Sequence, residues 1–231
     1  MLFSVFRSLF SGQSVDIWAV LAQVLSILFV IFCILPLHEF AHGWVANKLG
    51  DPTAKLEGRL TMNPLASVDP MGSLALLLFG FGWAKPVPVD SRYFKKPKRD
   101  LAITALAGPV SNLLAALVGA FVMVAIQVFA TYSGVTMFFL NLMYYYVVVN
   151  ITLAVFNLIP VPPLDGSRIV GAFLSDRALA TYYRYQNIFV MVLFAMMFFG
   201  VFSGPLYTVQ NFFARIIFQI AQFPFRLAGA L

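Results

Sequence analysis

Long stretches without a charged side chain dominate this sequence and limit what it can fold into. Apolar residues run from Ile17 to Leu37, again from about Leu101 to Thr131, and again from about Met137 to Leu158. Each stretch has at least the roughly 20 residues that a helix needs to cross the hydrocarbon core of a bilayer. Of the 231 residues, 61% are hydrophobic and 10% are charged, whereas soluble domains contain about 25% charged residues. The sequence therefore predicts an all-α polytopic membrane protein built on a core helix bundle.

The segments between these runs predict shorter elements. The run from Ser73 to Phe79 is too short to span a bilayer, and the glycines and prolines between Gly80 and Asp90 interrupt any helix. We expect a re-entrant turn with a short β-hairpin there, covered by protein or water because its backbone polar groups cannot face lipid. A fourth span is predicted from about Asn187 to Phe202.

The C-terminal sequence has polar residues at three- to four-residue spacing among aromatic ones. This pattern predicts an amphipathic helix over about residues 206–226, which either lies in the membrane interface or packs on the bundle. We expect residues 1–231 to form a single membrane-embedded domain whose core covers about residues 17–200.

The basic residues concentrate beside the apolar runs and give the chain a net charge of +6. No soluble segment combines a basic groove with interleaved aromatic residues, so nucleic-acid binding is not predicted. An excess of Lys and Arg marks cytoplasmic loops, which indicates a multi-pass membrane protein whose basic loops face the cytoplasm. Recognition of anionic lipid is the alternative role for the densest basic run. That run consists of Arg92, Lys95, Lys96, Lys98 and Arg99.

The end of the first apolar run carries the two histidines of the chain, in the stretch His38-Glu39-Phe40-Ala41-His42. Residues i and i+4 of a helix project from the same face, so both imidazoles can bind one Zn²⁺ ion. Glu39 between them can act as a general base toward the attacking water. The alternative is a pair of structural histidines whose hydrogen bonds are satisfied within a helix core. We favour metal binding, near the cytoplasmic end of the span.

A catalytic zinc site requires three protein ligands and an open fourth position. Because the chain has no third histidine, the third ligand should be a carboxylate. Asp165 is favoured, since it lies at the end of the third span after a segment that Pro160, Pro162 and Pro163 hold extended. Its alternative role is a helix N-cap, which is compatible with ligation. Asp69 and Glu57 are the next candidates for the third ligand.

Two uncharged amides, Asn112 on the second span and Asn157 on the third, lie at a similar depth. Either side chain could donate to the oxyanion of a hydrolytic transition state or contact a substrate. Hydrogen bonding between helices is the alternative role for both.

The stretches HEFAH, GPVSN and NLIPVPPLDG, in that order on successive membrane segments, resemble the site-2 protease (M50) family of intramembrane metalloproteases. GRLTMNPLASVDPMG and GFGWAKPVPVD are similar to the small bacterial branch of that family, without a PDZ or CBS domain. The resemblance covers about residues 17–200. One departure is Ser67, which stands where relatives often have histidine.

This resemblance implies that His38, His42 and Asp165 bind one zinc ion per chain and that Glu39 is the catalytic glutamate. It implies that Asn112 and Asn157 contact the substrate. It also implies cleavage of a transmembrane segment of another protein, close to the cytoplasmic face. The predicted partners are that transmembrane substrate and the lipid bilayer, and the hairpin near the metal could hold the unwound substrate by backbone pairing.

Two other function classes are compatible with a polytopic membrane protein. A transporter or channel would distribute its carboxylates along a pathway, whereas here they gather at the cytoplasmic ends of the spans beside the histidines. A catalytically inactive binding protein of the same fold would not need Glu39, which is intact. Both observations favour a zinc endopeptidase.

Overall fold

A computed structural model describes residues 16–79, 84–201 and 203–230, and all regular secondary structure in these ranges is helical. The prediction of an all-α polytopic fold is confirmed. Within the described ranges, three helices are long and apolar enough to cross a membrane, namely Val20–Leu49, Pro97–Phe129 and Gly134–Asn157. The helices are α1 (Ile17–Phe29, Val30–Ile34 and Leu35–Leu49), α2 (Thr53–Leu56), α3 (Pro64–Ser67), α4 (Pro70–Phe79), α5 (Pro97–Phe129), α6 (Gly134–Asn157), α7 (Asp165–Gly171), α8 (Asp176–Arg184), α9 (Gln186–Phe198) and α10 (Ser203–Leu227).

Helix α1 carries the histidine pair and is continuous through it, as predicted. The Asp16 side chain accepts a hydrogen bond from the backbone N–H of Trp18 at 2.9 Å, which satisfies one of the donors at the helix start. A π-helical turn at Val30–Ile34 separates its two α-helical parts. The helix ends at Gly50, whose φ of 113° is in the left-handed region that glycine adopts without a steric penalty.

Helices α1, α5 and α6 form the core of the bundle, and the most extensive packing is between α5 and α6. Gly119 of α5 permits their close approach, because a Cβ atom at this position would collide with the ring of Tyr146 on α6. Small residues at such contacts are typical of membrane helices, which associate by close packing. The core includes Ile27 and Ile31 of α1, Ala116, Ala120 and Val124 of α5, and Val147 and Ile151 of α6.

The C-terminal amphipathic helix α10 packs on the bundle, against α5 and α6. Ile217 and Ala221, one turn apart, are the buried residues of its apolar face. Of the two arrangements predicted for this helix, the structure shows packing on the bundle.

Two details of the sequence prediction differ from the structure. The fourth predicted span is the helix α9, which has only 13 residues and is shorter than a span requires; Phe202 at its predicted end lies outside the described residues. The predicted β-hairpin is also not formed in its described part, residues 84–90, which has no regular secondary structure. Its predicted turn, Gly80–Trp83, lies outside the described residues.

The segment of residues 84–90, called the strap below, has few backbone donors free to pair with a strand. Pro86 and Pro88 have no N–H to offer to a neighbouring strand. The Lys85 N–H donates to the Ser67 carbonyl at 2.8 Å and the Asp90 N–H to the Asp51 carboxylate at 2.7 Å. These bonds fix both ends of the strap beside α1.

Candidate metal centre

Three buried side chains from two helices meet at one point in the bundle. His38 and His42 lie one turn apart on α1, and their Nε2 atoms are 3.0 Å from each other. The Asp165 carboxylate of α7 places Oδ2 3.3 Å from Nε2 of each histidine. Together these are a cluster of two histidines and one aspartate whose ligand atoms lie close enough to hold a metal ion. The structure thus brings together the three residues that the sequence nominated as metal ligands.

The hydrogen bonds of the two imidazoles determine which nitrogen carries the proton. His42 Nδ1 lies 2.7 Å from the backbone carbonyl oxygen of Thr104, and His38 Nδ1 lies 2.6 Å from Oδ1 of Asn112. A carbonyl oxygen only accepts, so Nδ1 of both rings is the protonated nitrogen. Nε2 of both histidines then presents a lone pair toward Asp165.

Three acceptor atoms therefore converge without a hydrogen between them. Asp165 Oδ2 has no hydrogen-bond donor among the residues that the structure describes. A buried cluster of lone pairs is unfavourable unless a cation lies among them. Two donor atoms about 2.1 Å from a tetrahedral zinc ion are about 3.4 Å apart, close to the observed separations of 3.0 and 3.3 Å. The donor set and its spacing fit a zinc ion with a fourth position open.

Gly108 of α5 leaves the space that this cluster needs. A Cβ atom at position 108 would collide with Nε2 of both His38 and His42. The glycine lets the backbone of α5 pass directly beside the imidazoles, while Thr104 and Asn112, one turn on either side, accept from their Nδ1 atoms. One face of α5 thus orients both histidines.

The turn that follows α6 positions Asp165 at the start of α7. The N-cap of α7 is Leu164, so Asp165 is the first residue of the helix and does not cap it through its side chain. Gly166 is required next, because a Cβ atom there would collide with the carbonyl oxygens of Leu158 and Ile159. Its carboxylate oxygen is the third ligand atom that the cluster offers to a metal ion.

Glu39 lies beside the cluster and is tied to the strap. Its Oε2 accepts a hydrogen bond from the backbone N–H of Val87 at 2.8 Å. A cavity of about 250 Å³ opens here, and the metal cluster, Glu39, Pro86, Val87 and Asn157 line it. A carboxylate, a candidate metal-binding cluster and an open cavity therefore adjoin.

The two predicted substrate amides occupy different environments. Asn112 is completely buried, and its Oδ1 is used by His38, while its Nδ2 has no acceptor among the described residues. Asn157 lines the cavity, and its Nδ2 donates to the Leu153 carbonyl at 3.0 Å. Contact of either residue with substrate stays a prediction. The hydrogen bond between Asn112 and His38 joins two helices, which is the alternative role given for Asn112 above, but the sequence did not identify His38 as the partner.

The competing candidates for the third ligand lie away from the cluster. Asp69 Oδ1 accepts from the Gly72 N–H at 2.7 Å and so caps helix α4, and Glu57 is exposed.

Two residues beside the histidines were not predicted from the sequence. The Thr104 carbonyl was missed because a backbone atom leaves no signature in the sequence. Gly108 had a signal, since the Gly108-Pro109 pair stands inside a membrane span where both residues lower helix propensity.

Comparison with known proteins gives the family. The family model described as Peptidase family M50 matches residues 125–200, which include the proline-rich segment and Asp165. A Bacillus subtilis protein named "Putative zinc metalloprotease YwhC" is 46% identical over 140 residues, which is 58% of this chain and 62% of that protein. The chain thus spans about three fifths of the length of that relative.

Two further relatives are more distant. A Mycobacterium tuberculosis protein named "Putative zinc metalloprotease Rip2" is 32% identical over 209 residues, covering 85% of this chain and 74% of that protein. "Zinc metalloprotease MJ0392" of Methanocaldococcus jannaschii is 29% identical over 160 residues, covering 69% of this chain and 36% of that protein. No solved structure shows a significant match. The family match and the extent of the Mycobacterium tuberculosis alignment show that the chain belongs to peptidase family M50.

Proposed function

We propose that the chain is a zinc-dependent intramembrane endopeptidase, which hydrolyses a peptide bond in or near a transmembrane segment of a substrate protein. The observation that carries this proposal is the convergence of three lone pairs, from His38, His42 and Asp165, next to Glu39. The zinc metalloprotease names of the relatives support it. His38, His42 and Asp165 would hold one zinc ion per chain.

The chemistry of the proposed reaction combines the metal with one base. A bound zinc ion lowers the pKa of its water to about 7 and polarises a substrate carbonyl. Glu39 takes a proton from the attacking water and delivers it to the leaving nitrogen. The Val87 N–H holds Oε2 of Glu39, so the carboxylate stays oriented and its other oxygen receives the proton.

The cavity beside Glu39 is the proposed place of the scissile bond. Asn157 lines it and would contact the substrate backbone, while Asn112 would act through His38 because it is buried behind that ring. A transmembrane substrate must unwind before a peptide carbonyl is accessible, since its backbone groups are paired within the helix. The strap forms one wall of the cavity and would receive the unwound segment.

Pairing with the strap would use groups other than the Val87 N–H, because Glu39 already accepts from that donor. Replacing Val87 by proline therefore reports on the positioning of Glu39 and not on strand addition. Proline at Val89, whose N–H has no acceptor among the described residues, would be the corresponding probe of backbone pairing with substrate.

We place the cleavage site close to the cytoplasmic face of a bacterial cytoplasmic membrane. His38 and His42 lie in the second half of the span Val20–Leu49. The residues that follow this span include Lys55 and Arg59, and basic residues beside a span favour the cytoplasmic side.

The proposal is tested by reconstituting the purified protein with a transmembrane substrate in lipid vesicles. We expect cleavage by the wild type and loss of at least about two orders of magnitude in rate for Glu39→Gln, which cannot take up the proton. Glu57→Gln, the same change at an exposed glutamate, is the matched control and should cleave normally. A chelator should abolish cleavage, and added zinc should restore it. Equal cleavage by wild type, Glu39→Gln and chelated protein would refute the proposal.

A further inference from the structure

A second cavity lies on the face of α5 opposite the metal centre. Ala102, Ile103 and Leu106 form part of its floor, whereas Thr104 and Gly108 face the histidines. With about 100° per residue these two sets lie on opposite sides of the helix. The cavity, called the α5 groove below, has a volume of about 710 Å³ and is closed on its other side by α7 and the segment leading into α8.

The mouth of the α5 groove is basic. Lys96, Lys98 and Arg99 line it, together with Asp176. Lys98 is structural, since its Nζ pairs with Asp176 at 2.7 Å and donates to the Leu174 carbonyl at 2.7 Å. These two contacts tie the segment between α7 and α8 to the start of α5 and so hold the groove open.

The other two basic residues are arranged by one buried carboxylate. Asp100 Oδ1 accepts from Arg99 Nε at 2.9 Å, and its Oδ2 accepts from the backbone N–H of Lys96 at 2.9 Å. Asp100 is only 2% exposed, so it fixes the positions from which both residues extend. Arg99 keeps further N–H donors for a ligand, and the Lys96 ammonium has no acceptor among the described residues.

The charged side chains at the mouth of the α5 groove leave one positive charge unbalanced. Lys98 is balanced by Asp176 and Arg99 by Asp100, which leaves the positive charge of Lys96. Such a site matches a ligand with a single negative charge better than a polyphosphate. A phosphodiester has that charge and offers oxygen acceptors to lysine and arginine.

The groove also changes from basic to apolar along its length. No charged residue occurs between Leu101 and Leu164, so the bilayer boundary on this side of α5 lies near Asp100. The helix of 33 residues is about 50 Å long, well beyond the roughly 30 Å of a hydrocarbon core. The floor continues from the basic mouth into Ile103, Leu106 and the exposed ring of Phe173. A ligand here meets cations at headgroup level and apolar side chains at acyl-chain level.

From this arrangement we propose that the α5 groove binds one anionic phospholipid, with its phosphodiester at Lys96 and Arg99 and an acyl chain along Ile103, Leu106 and Phe173. Basic pockets between membrane helices at the headgroup level are suited to this recognition. The site is separate from the metal centre, so its occupancy is measured without reference to proteolysis.

The test is native mass spectrometry of the detergent-purified protein titrated with phosphatidylglycerol or with phosphatidylcholine of the same acyl chains. Wild type should retain the anionic lipid in preference to the zwitterionic one. Lys96→Gln should reduce the preference about fivefold, since a basic residue near a headgroup contributes about 1 kcal/mol, and Lys96→Gln/Arg99→Gln should abolish it. The matched control is Arg215→Gln/Arg226→Gln, which removes two positive charges from α10 and should bind as wild type.

Three results would overturn the proposal. The first is equal retention of both lipids by wild type. The second is an unchanged preference in Lys96→Gln, whose exposed side chain supports no other part of the fold. The third is displacement of phosphatidylglycerol by excess inorganic phosphate, which would assign the basic mouth to free phosphate and not to a lipid.

Discussion

One hydrogen bond to each imidazole determines the tautomer and the orientation of its ring toward a metal ion. Each Nδ1 donates to an oxygen of α5, and each Nε2 is left as a lone pair. Partners of this kind fix the tautomer and the orientation of a ligating histidine. The metal affinity of the site should therefore depend on α5 as much as on the ligands themselves.

Asn112→Ala tests this dependence, because it removes the acceptor of His38 Nδ1 without changing a ligand. We expect zinc affinity to fall about 10- to 100-fold, the usual effect of losing such a partner. The affinity is measured by competition with a chromogenic chelator. Asn150→Ala is the matched control, since Asn150 is an equally buried amide that donates to the Tyr146 carbonyl and contacts neither histidine. Equal zinc affinity in wild type and Asn112→Ala would contradict the account.

The strap and the turn before α7 each place one polar group beside α1. The strap offers the Val87 N–H to Glu39, and the turn offers the Asp165 carboxylate to the histidines. Both segments are rich in proline, which restricts the backbone and leaves few donors that need partners. Neither forms regular structure, yet each has a fixed position beside the cluster.

Val87→Pro removes the donor to Glu39 while keeping an apolar side chain in the strap. We expect the cleavage rate to fall about 10- to 100-fold, since a hydrogen bond to a charged group contributes about 1.5 to 3 kcal/mol. Zinc content should be unchanged, because Val87 contacts no ligand. Val89→Pro makes the same change two residues away and leaves the hydrogen bond to Glu39 intact, so it reports on backbone pairing with substrate instead. The cleavage rates of both variants are measured by single-turnover kinetics, and their zinc contents by elemental analysis. A full rate in Val87→Pro would show that Glu39 needs no support from the strap.

The sequence predicted the parts of the site that follow from helical periodicity. The i, i+4 spacing places His38 and His42 on one face, and the proline-rich segment pointed to Asp165, which the structure places beside both histidines. The sequence could not predict that Thr104 and Asn112 accept hydrogen bonds from the two Nδ1 atoms, because these contacts depend on how α5 lies against α1. The hairpin was wrongly expected in residues 84–90, because the alternating valines suggest a strand. In the structure the Val87 N–H donates to the Glu39 side chain and the Lys85 N–H to the Ser67 carbonyl.

The whole bundle brings α1, α5, α6 and α7 together so that the candidate metal ligands, which are distant in sequence, meet. Its long spans were predictable from the absence of charge, whereas the end of α9 and the docking of α10 were not. Amphipathic periodicity identifies α10 but cannot say what covers its apolar face. In the structure α5 and α6 cover it, and Ile217 is buried there.

Ile217→Ala tests whether this docking stabilises the bundle. We expect a loss of about 2 kcal/mol in the free energy of unfolding, because a buried isoleucine leaves a cavity. Ile220→Ala, three residues away and 47% exposed, should have little effect. Thermal unfolding of both variants in detergent measures the difference. Equal unfolding temperatures would mean that α10 does not depend on its packing against α5 and α6.

The most direct test of the account is the zinc content of the purified protein, determined by elemental analysis. Wild type should contain about one zinc per chain, as three protein ligands with one open position require. Asp165→Ala should lose most of this zinc, whereas Asp69→Ala, the same change at a carboxylate that caps α4, should retain it. Undiminished zinc in Asp165→Ala would contradict the assignment of His38, His42 and Asp165 as the metal centre.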